Sequence, residues 1–298
     1  MKYRIKHLIE YGVLRAFGVL TNALPHRLAL AVAWLVAVLG YAISRSAMRR
    51  TQRRIRQVLG PDVSDSEVRR IAWVAWRNLC FNGAEAMRIP SLTVGWVKKM
   101  VEHSDIHLVH ENMKDGRGLI LAVPHMGNWE LAGVGMQLVG LSIMIIVRKQ
   151  SNPLTDAYLN RMRKYTGVEA FVRGPHALSG VIRGLKQGKV LAILPDVHAK
   201  VNFMPVRFLG GQAQTPAGMA LFARVAGVPI IPASVRRIGW TRHELKGFPP
   251  IWPDPSLDEK ADWQRMTQYV MDCFDRAVRE HPEQYFWFNK RWVLGQEK

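Results

Sequence analysis

One stretch of the chain holds residue types and a spacing suited to proton transfer: His125-Met-Gly-Asn-Trp-Glu130, directly after the apolar run 119–123 and Pro124. An imidazole beside a carboxylate is the pairing that takes a proton from a hydroxyl. The spacing restricts how the two can meet. Inside a single helix a five-residue offset separates side chains by about 140°, which keeps His125 and Glu130 apart. They meet if His125 lies in a strand-to-helix turn, Asn128 caps the helix, and Glu130 falls in its first turn and folds back to the ring. A strand must therefore precede the histidine and a helix must follow it.

The neighbouring sequence supplies both. Residues 119–123, set off by Gly116 and Gly118, read as a buried strand. The pattern then repeats. A second apolar strand, 141–147, ends at Arg148, and Asn152-Pro153 opens a helix to about Tyr165. A short strand, 169–172, ends at Arg173, and a helix lies within 174–188. A third apolar strand, 190–194, ends at Pro195-Asp196. Residues 201–208 are extended, Thr215-Pro216 opens a helix that stops at Gly227, and 228–232 is the next strand. Strands alternating with helices indicate an α/β fold with an open, largely parallel sheet flanked by helices. Ligands in such sheets bind outside the carboxyl ends of the strands, where His125, Arg148, Arg173 and Asp196 should gather. Outside this region, Ser64 to Glu67 is a capping box for a helix reaching about Arg88. Residues 96–103 read as a short helix and 106–111 as a strand. Ser256 to Glu259 is another capping box, for a helix to about Glu280. The aromatic stripe of the tail, 282–292, reads as core packing.

Charge and hydropathy add a membrane element. The 298 residues carry a formal net charge of +19, which implies an anionic partner: nucleic acid, anionic lipid or an acidic carrier protein. Up to Gly60 there are eleven Lys or Arg against a single acid, Glu10, so this segment holds about half the excess. It also contains 28–44, an uncharged apolar run at the short end of the range for a spanning helix. The run reads as an N-terminal hydrophobic helix anchoring the protein to a membrane, spanning or interfacial. The arginines of 45–56 form a collar facing the cytoplasm. Residues 1–60 are then the anchor and 61–298 the catalytic domain. Charge clustered beside an apolar run favours membrane over nucleic acid. Cys80 and Cys273 form no paired motif, which fits a reducing compartment. His103, His107, His110, His176 and His198 have no metal-ligand spacing, so neither a metal nor another cofactor is expected. No G-x-S-x-G elbow, phosphate loop or G-x-G-x-x-G fingerprint occurs.

The segment HMGNWE closely resembles the H-x-x-x-x-E motif of the lipid A late acyltransferases, the lauroyl/myristoyl transferase family. The resemblance extends in order along nearly the whole chain: an LP-x-RLAL anchor segment, an arginine-rich stretch, a strand ending in Arg148, an Asp after 192–195, the glycine-rich 207–232, and the tail PEQYFWFNKRW. It implies acyl transfer from a thioester, on acyl carrier protein or coenzyme A, to a hydroxyl of a lipid A precursor at the cytoplasmic face of a bacterial inner membrane. His125 would be the general base and Glu130 its partner. Arg148 or backbone N–H groups near Gly127 and Asn128 would steady the oxyanion. Arg148 and Arg173 would grip acceptor phosphate, and Asp196 would orient one of them or cap its strand end. Two departures stand out. The family usually has Asp-Gln where Asp196-Val197 stands, and His-Arg-Arg where Asn289-Lys290-Arg291 stands. The first leaves the acceptor open, and relatives in the family acylate other glycolipids such as mannosylated phosphatidylinositol. Two alternatives compete: a glycerolipid acyltransferase, which would carry Asp in place of Glu130, and a non-catalytic binder of anionic membranes, which leaves HMGNWE unexplained.

Overall fold

The structure, a computed structural model, describes residues 3–295 other than Ser104 and Lys114, and their side chains except those of Lys164, Pro175 and His176. In chain order the elements are α1 (Ile5–Ala23), α2 (His26–Ile43), α3 (Arg45–Leu59), α4 (Asp65–Met87), α5 (Val94–Met100), β1 (Val101–Glu102), α6 (Ile106–Asn112), β2 (Leu119–Ala122), α7 (Trp129–Leu138), β3 (Ile143–Val147) and α8 (Pro153–Thr166). There follow β4 (Glu169–Val172), α9 (Pro175–Lys186), β5 (Val190–Ile193), β6 (Phe203–Phe208), β7 (Gly211–Pro216), α10 (Gly218–Ala226), β8 (Ile230–Ile238), β9 (Arg242–Gly247) and α11 (Glu259–Glu280). Seven strands form one sheet in the order β1-β9-β8-β2-β5-β3-β4. It is parallel throughout except where β9 runs back against β8. β6 and β7 form a separate antiparallel hairpin.

β2 is central because both its faces are apolar. Ile120 and Ala122 belong to one core, with α3, α4, α9, α10, α11 and the C-terminal tail. Leu119, Leu121 and Val123 belong to the other, with α6 and α7. A strand covered on both sides in this way is what a parallel sheet requires. The tail's aromatics do fill the core: Tyr285, Trp287 and Trp292 are buried together.

Three local expectations fail for identifiable reasons. Residues 106–111 form α6, not a strand, because Ile106 and Val109, three residues apart, face the second core together on a helix. Thr215-Pro216 ends β7 instead of opening a helix; Thr215 pairs with Met204, and α10 begins at Gly218. The cap of α11 is Asp258, whose side chain accepts from the Lys260 and Ala261 N–H groups, while Ser256 instead donates to Asp254.

The N-terminal helices lie against the domain on one face only. Ala29, Leu30, Ala33 and Ala37 of α2 are buried, and Leu30 and Ala33 meet Phe81 and Ala84 of α4. The opposite face exposes Leu28, Trp34, Leu35, Val36, Val38, Leu39 and Ile43. Among the described residues α2 is the one helix long and apolar enough to cross a membrane. At 18 residues it spans about 27 Å. α3 packs into the domain's core through Ile55 and Val58. Its Arg54 is buried and donates to the carbonyls of Trp287 and Asn289, so this arginine of the expected collar holds the tail instead of facing outward.

Candidate active site

The turn after β2 is held on every side. Val123 N–H donates to the Ile193 carbonyl, which keeps the chain alongside β5 beyond the last ladder pair. The His125 carbonyl accepts from Phe286 N–H, and Gly127 N–H donates to the Gln284 carbonyl. Gly127 adopts φ +58°, and a Cβ there would lie 2.2 Å from the Val235 carbonyl oxygen. Only glycine fits, for its backbone freedom and for the space. Asn128 caps α7, its side chain accepting from Leu131 N–H, as its position in the motif predicts.

Parallel register brings the next residue in. Ala122 pairs with Ile193, and three residues beyond each stand His125 and Asp196. The Asp196 carboxylate accepts twice from the histidine: His125 Nδ1 at 2.7 Å and the His125 backbone N–H at 2.8 Å. Asp196 is fully buried and the imidazole is 21 % exposed. With Nδ1–H donated to the carboxylate, Nε2 keeps its lone pair and is the atom able to take a proton. Burial works against the charged ring. The Asp196 charge and hydrogen bond outweigh it, with help from the Glu130 charge and against Arg291, and the imidazole's pKa lies above its ordinary value. Trp129 and Phe286 pack against the ring at 5.1 and 6.2 Å between centroids. The buried Tyr285 phenol also faces Asp196, and burial followed by that negative charge pushes its pKa well up, so it stays a neutral donor.

The carboxylate bonded to the ring is thus Asp196, where the motif spacing suggested Glu130. Among the described residues Glu130 makes no hydrogen bond to His125. It is exposed in the first turn of α7 and reaches the imidazole through its charge alone. Asp196, expected to orient an arginine or cap a strand, orients the His125 imidazole. Gly127 N–H, one of the expected oxyanion donors, is already committed to Gln284.

The arginines stand where the strand ends place them. Arg148 directly follows β3 and Arg173 follows β4. In the order β2-β5-β3-β4, about 4.8 Å per strand, they flank the His125–Asp196 pair on one side. Arg291 from the tail joins them. Its guanidinium donates twice to the His198 carbonyl, and burial followed by the Arg173 and Arg148 charges lowers its pKa. Among the described residues none of the three has an acidic partner. Sequence reading missed Arg291 as a site residue; the tail's place beside the turn, through Tyr285, Phe286 and His198, is what brings it in. No group of His, Cys, Asp or Glu among the described residues is arranged to hold a metal, and the His176 side chain lies outside them.

An imidazole with an ordered tautomer at the carboxyl ends of two central strands, beside guanidinium groups that lack acidic partners among the described residues, suits attack by a hydroxyl on an activated acyl group. The sequence is also similar to known proteins. The family model for bacterial lipid A biosynthesis acyltransferases matches residues 2–293. A phosphatidylinositol mannoside acyltransferase of Mycolicibacterium smegmatis is 25 % identical over 287 residues, covering 92 % of this chain and 88 % of that one. Lipid A biosynthesis acyltransferase 2 of Shigella flexneri is 23 % identical over 255 residues, 83 % of this chain and 78 % of that one. Among solved structures, the 1-acyl-sn-glycerophosphate acyltransferase PlsC of Thermotoga maritima aligns over 85 % of this chain and 95 % of its own, at 17 % identity and a TM-score of 0.39. With a family match running from the first helix to the aromatic tail and relatives that share the activity, the chain is an acyltransferase of the bacterial lipid A biosynthesis acyltransferase family.

Proposed function

We propose that the protein transfers a fatty acyl group from an acyl thioester, on acyl carrier protein or coenzyme A, to a hydroxyl of a lipid A precursor at the cytoplasmic face of the bacterial inner membrane. The observation that carries this reading is the Asp196–His125 pair with Nε2 left as base. His125 Nε2 takes the acceptor's hydroxyl proton as the oxygen attacks the thioester carbonyl. The C–S bond then breaks, and the imidazolium returns the proton to the departing sulfur. Asp196 holds the ring and steadies its charged form. Glu130 adds to the ring's basicity from the first turn of α7. Asn128 fixes the start of that helix, whose leading amides, with Arg148, are the candidate donors to the oxyanion. Arg148, Arg173 and Arg291 form an anionic-acceptor subsite suited to phosphate. No step calls for a metal or cofactor. A second reading, acylation of mannosylated phosphatidylinositol, is favoured by the relative of that name, which matches over more of the chain. Purified protein with acyl carrier protein and coenzyme A thioesters, offered each acceptor in turn, tests both. Mass spectrometry of lipids from cells with and without the gene reports the acceptor used, and acyl transfer to neither acceptor overturns the assignment.

If the three arginines grip acceptor phosphate, lysine should not replace them, because a point charge lacks the bidentate fork. Arg173→Lys and Arg291→Lys are expected to raise acceptor KM about tenfold and leave donor KM within about twofold. Unchanged acceptor KM in both, and in the alanine variants, would remove the arginines from the site.

The membrane part of the reading rests on the outer face of α2. Leu35 and Leu39 are 57 % and 64 % exposed, so Leu35→Asp and Leu39→Asp should leave the melting temperature within a degree or two. Each aspartate costs about 3 kcal/mol in a bilayer centre, so the double variant should no longer float with anionic vesicles at moderate salt. Full activity on micellar acceptor should persist. A double variant that binds vesicles as well as the parent shows that α2 is not the anchor.

A further inference from the structure

Beneath the active-site turn lies a buried polar cluster that the proton transfer does not use. Its centre is Glu85 of α4, which is 2 % exposed. Glu85 Oε1 accepts from Arg237 Nη1 at 2.9 Å, from His26 Nε2 at 3.0 Å and from His243 Nε2 at 3.3 Å. Glu85 Oε2 accepts from Arg237 Nη2 at 2.5 Å and from Asn128 Nδ2 at 2.7 Å. Arg237 donates further to the Asn82 side-chain oxygen at 2.7 Å, and Asn82 Nδ2 donates to the Gly127 carbonyl at 2.5 Å. The cluster therefore meets the HMGN turn twice, at Asn128 and at Gly127, the two residues that determine how the chain leaves His125 and enters α7.

An ion pair this deeply buried is an expensive way to join a helix to a strand, and an apolar contact of the same volume is often as stable. What it supplies here is direction. With Glu85 Oε2 accepting from Nδ2, the Asn128 amide has one possible orientation, with its oxygen toward Leu131 N–H. Burial would push the Glu85 carboxyl up, but the Arg237 guanidinium, with His243 and His26, reverses this and holds it well below the usual carboxylate range. Burial keeps His243 neutral against the pull of Glu85.

We propose that Glu85 and Arg237 are a positioning pair for the catalytic turn, fixing His125 against Asp196 by holding Asn128 and, through Asn82, the Gly127 carbonyl. The proposal rests on His125 being the base. It extends the functional unit beyond the HMGNWE segment to α4 and β8, and to His26, the first residue of the apolar helix α2. A glutamine cannot replace Glu85. Five donor contacts converge on its two oxygens, so the amide nitrogen of a glutamine would face at least two donors in either orientation.

The test is kinetic. Glu85→Gln is expected to lower kcat about a hundredfold, the usual consequence of displacing a reacting group by about 1 Å, while KM for the acyl thioester stays within about twofold. Asn82→Ala, at a half-buried position, is expected to lower kcat about tenfold in a folded protein. In both, the acid limb of the pH–rate profile should move to lower pH. His125 then loses part of its contact with Asp196, leaving burial and Arg291 to act against Glu130. A cluster that only holds the fold together would lower the melting temperature and leave the limb in place. Wild-type kcat and an unmoved limb in both variants, assayed well below their melting temperatures, overturn the proposal. Should Glu85→Gln fail to fold, Asn82→Ala and Asn128→Ser decide on the same readouts. His125→Ala separates this inference from the one beneath it. If that variant turns over like wild type, the base assignment falls. If it is inactive while the Glu85 and Asn82 variants are unaffected, only the positioning pair falls.

Discussion

Replacing His125 by alanine is expected to lower kcat by about 10² to 10⁴, the usual contribution of a positioned general base. In the proposed reaction the acyl donor is already activated as a thioester, so no covalent intermediate on the protein is needed. In that reaction the imidazole's whole task is to take the acceptor's proton at the moment of attack and pass it to sulfur. Removing it leaves the guanidinium groups and the amides at the start of α7 in place, so both KM values should change little and some transfer should persist. Alanine also strips the buried Asp196 carboxylate of its ring partner, leaving the His125 backbone N–H and the Tyr285 phenol. A carboxylate short of a donor costs about 1–3 kcal/mol, so the melting temperature should fall. His125→Gln, which offers an N–H near the same place, should recover part of that stability and none of the turnover. The measurement is steady-state acyl transfer with acyl carrier protein donors. Turnover within threefold of the parent in a folded His125→Ala protein would refute the mechanism.

How much of this was legible beforehand depends on the kind of signal. β2, β3, β4, β5 and the start of β8 were readable because each is a short apolar run closed by a glycine, a proline or a charge. Asn128 was readable because a cap is a local event, set by one side chain and the two amides beyond it. The partner of His125 was not, because Asp196 is 71 residues away. Strand boundaries put both residues at carboxyl ends, but only the crossover that makes β2 and β5 neighbours lays one beside the other. The nearer acid, Glu130, had the stronger sequence claim and an exposed place. Arg291 was hidden for the same reason, since among the described residues the tail joins no strand of the main sheet and its position follows from aromatic burial around Tyr285 and Trp287. α6 misled because six residues with mixed apolar spacing fit either period. The hairpin β6–β7 was missed in part because Thr215-Pro216 copies a helix start; an edge strand tolerates the proline there.

The second large effect belongs to Asp196→Asn, a change of one atom and one charge. The two carboxylate oxygens serve two donors on the same residue, Nδ1–H and the backbone N–H of His125. An asparagine has one oxygen to offer. If that oxygen faces Nδ1, the amide nitrogen is set against the backbone N–H. If it faces the backbone, the amide donates to Nδ1 and selects the tautomer protonated at Nε2, which cannot accept a proton from the acceptor. Either outcome should cost about 10³ to 10⁴ in kcat, as elsewhere when the carboxylate behind a catalytic histidine becomes an amide. The pH profile adds a sign that inactivation alone lacks. The base works only when neutral, so activity falls as pH drops through the histidine's pKa. In the parent that value is raised: burial lowers it, and the Asp196 charge and hydrogen bond, then Glu130, more than compensate. The acid limb of kcat/KM should therefore lie above pH 6.5, the ordinary histidine value. In Asp196→Asn the largest raising influences are gone, while burial and Arg291 remain, so the residual activity should extend to lower pH than the parent's. Glu130→Gln should move the limb in the same direction by less, because it acts through charge alone. A full pH profile of kcat/KM for the three proteins measures this. If the limb does not move in Asp196→Asn, or its turnover stays within threefold of the parent's, the buried carboxylate caps a strand and the histidine is oriented by something else.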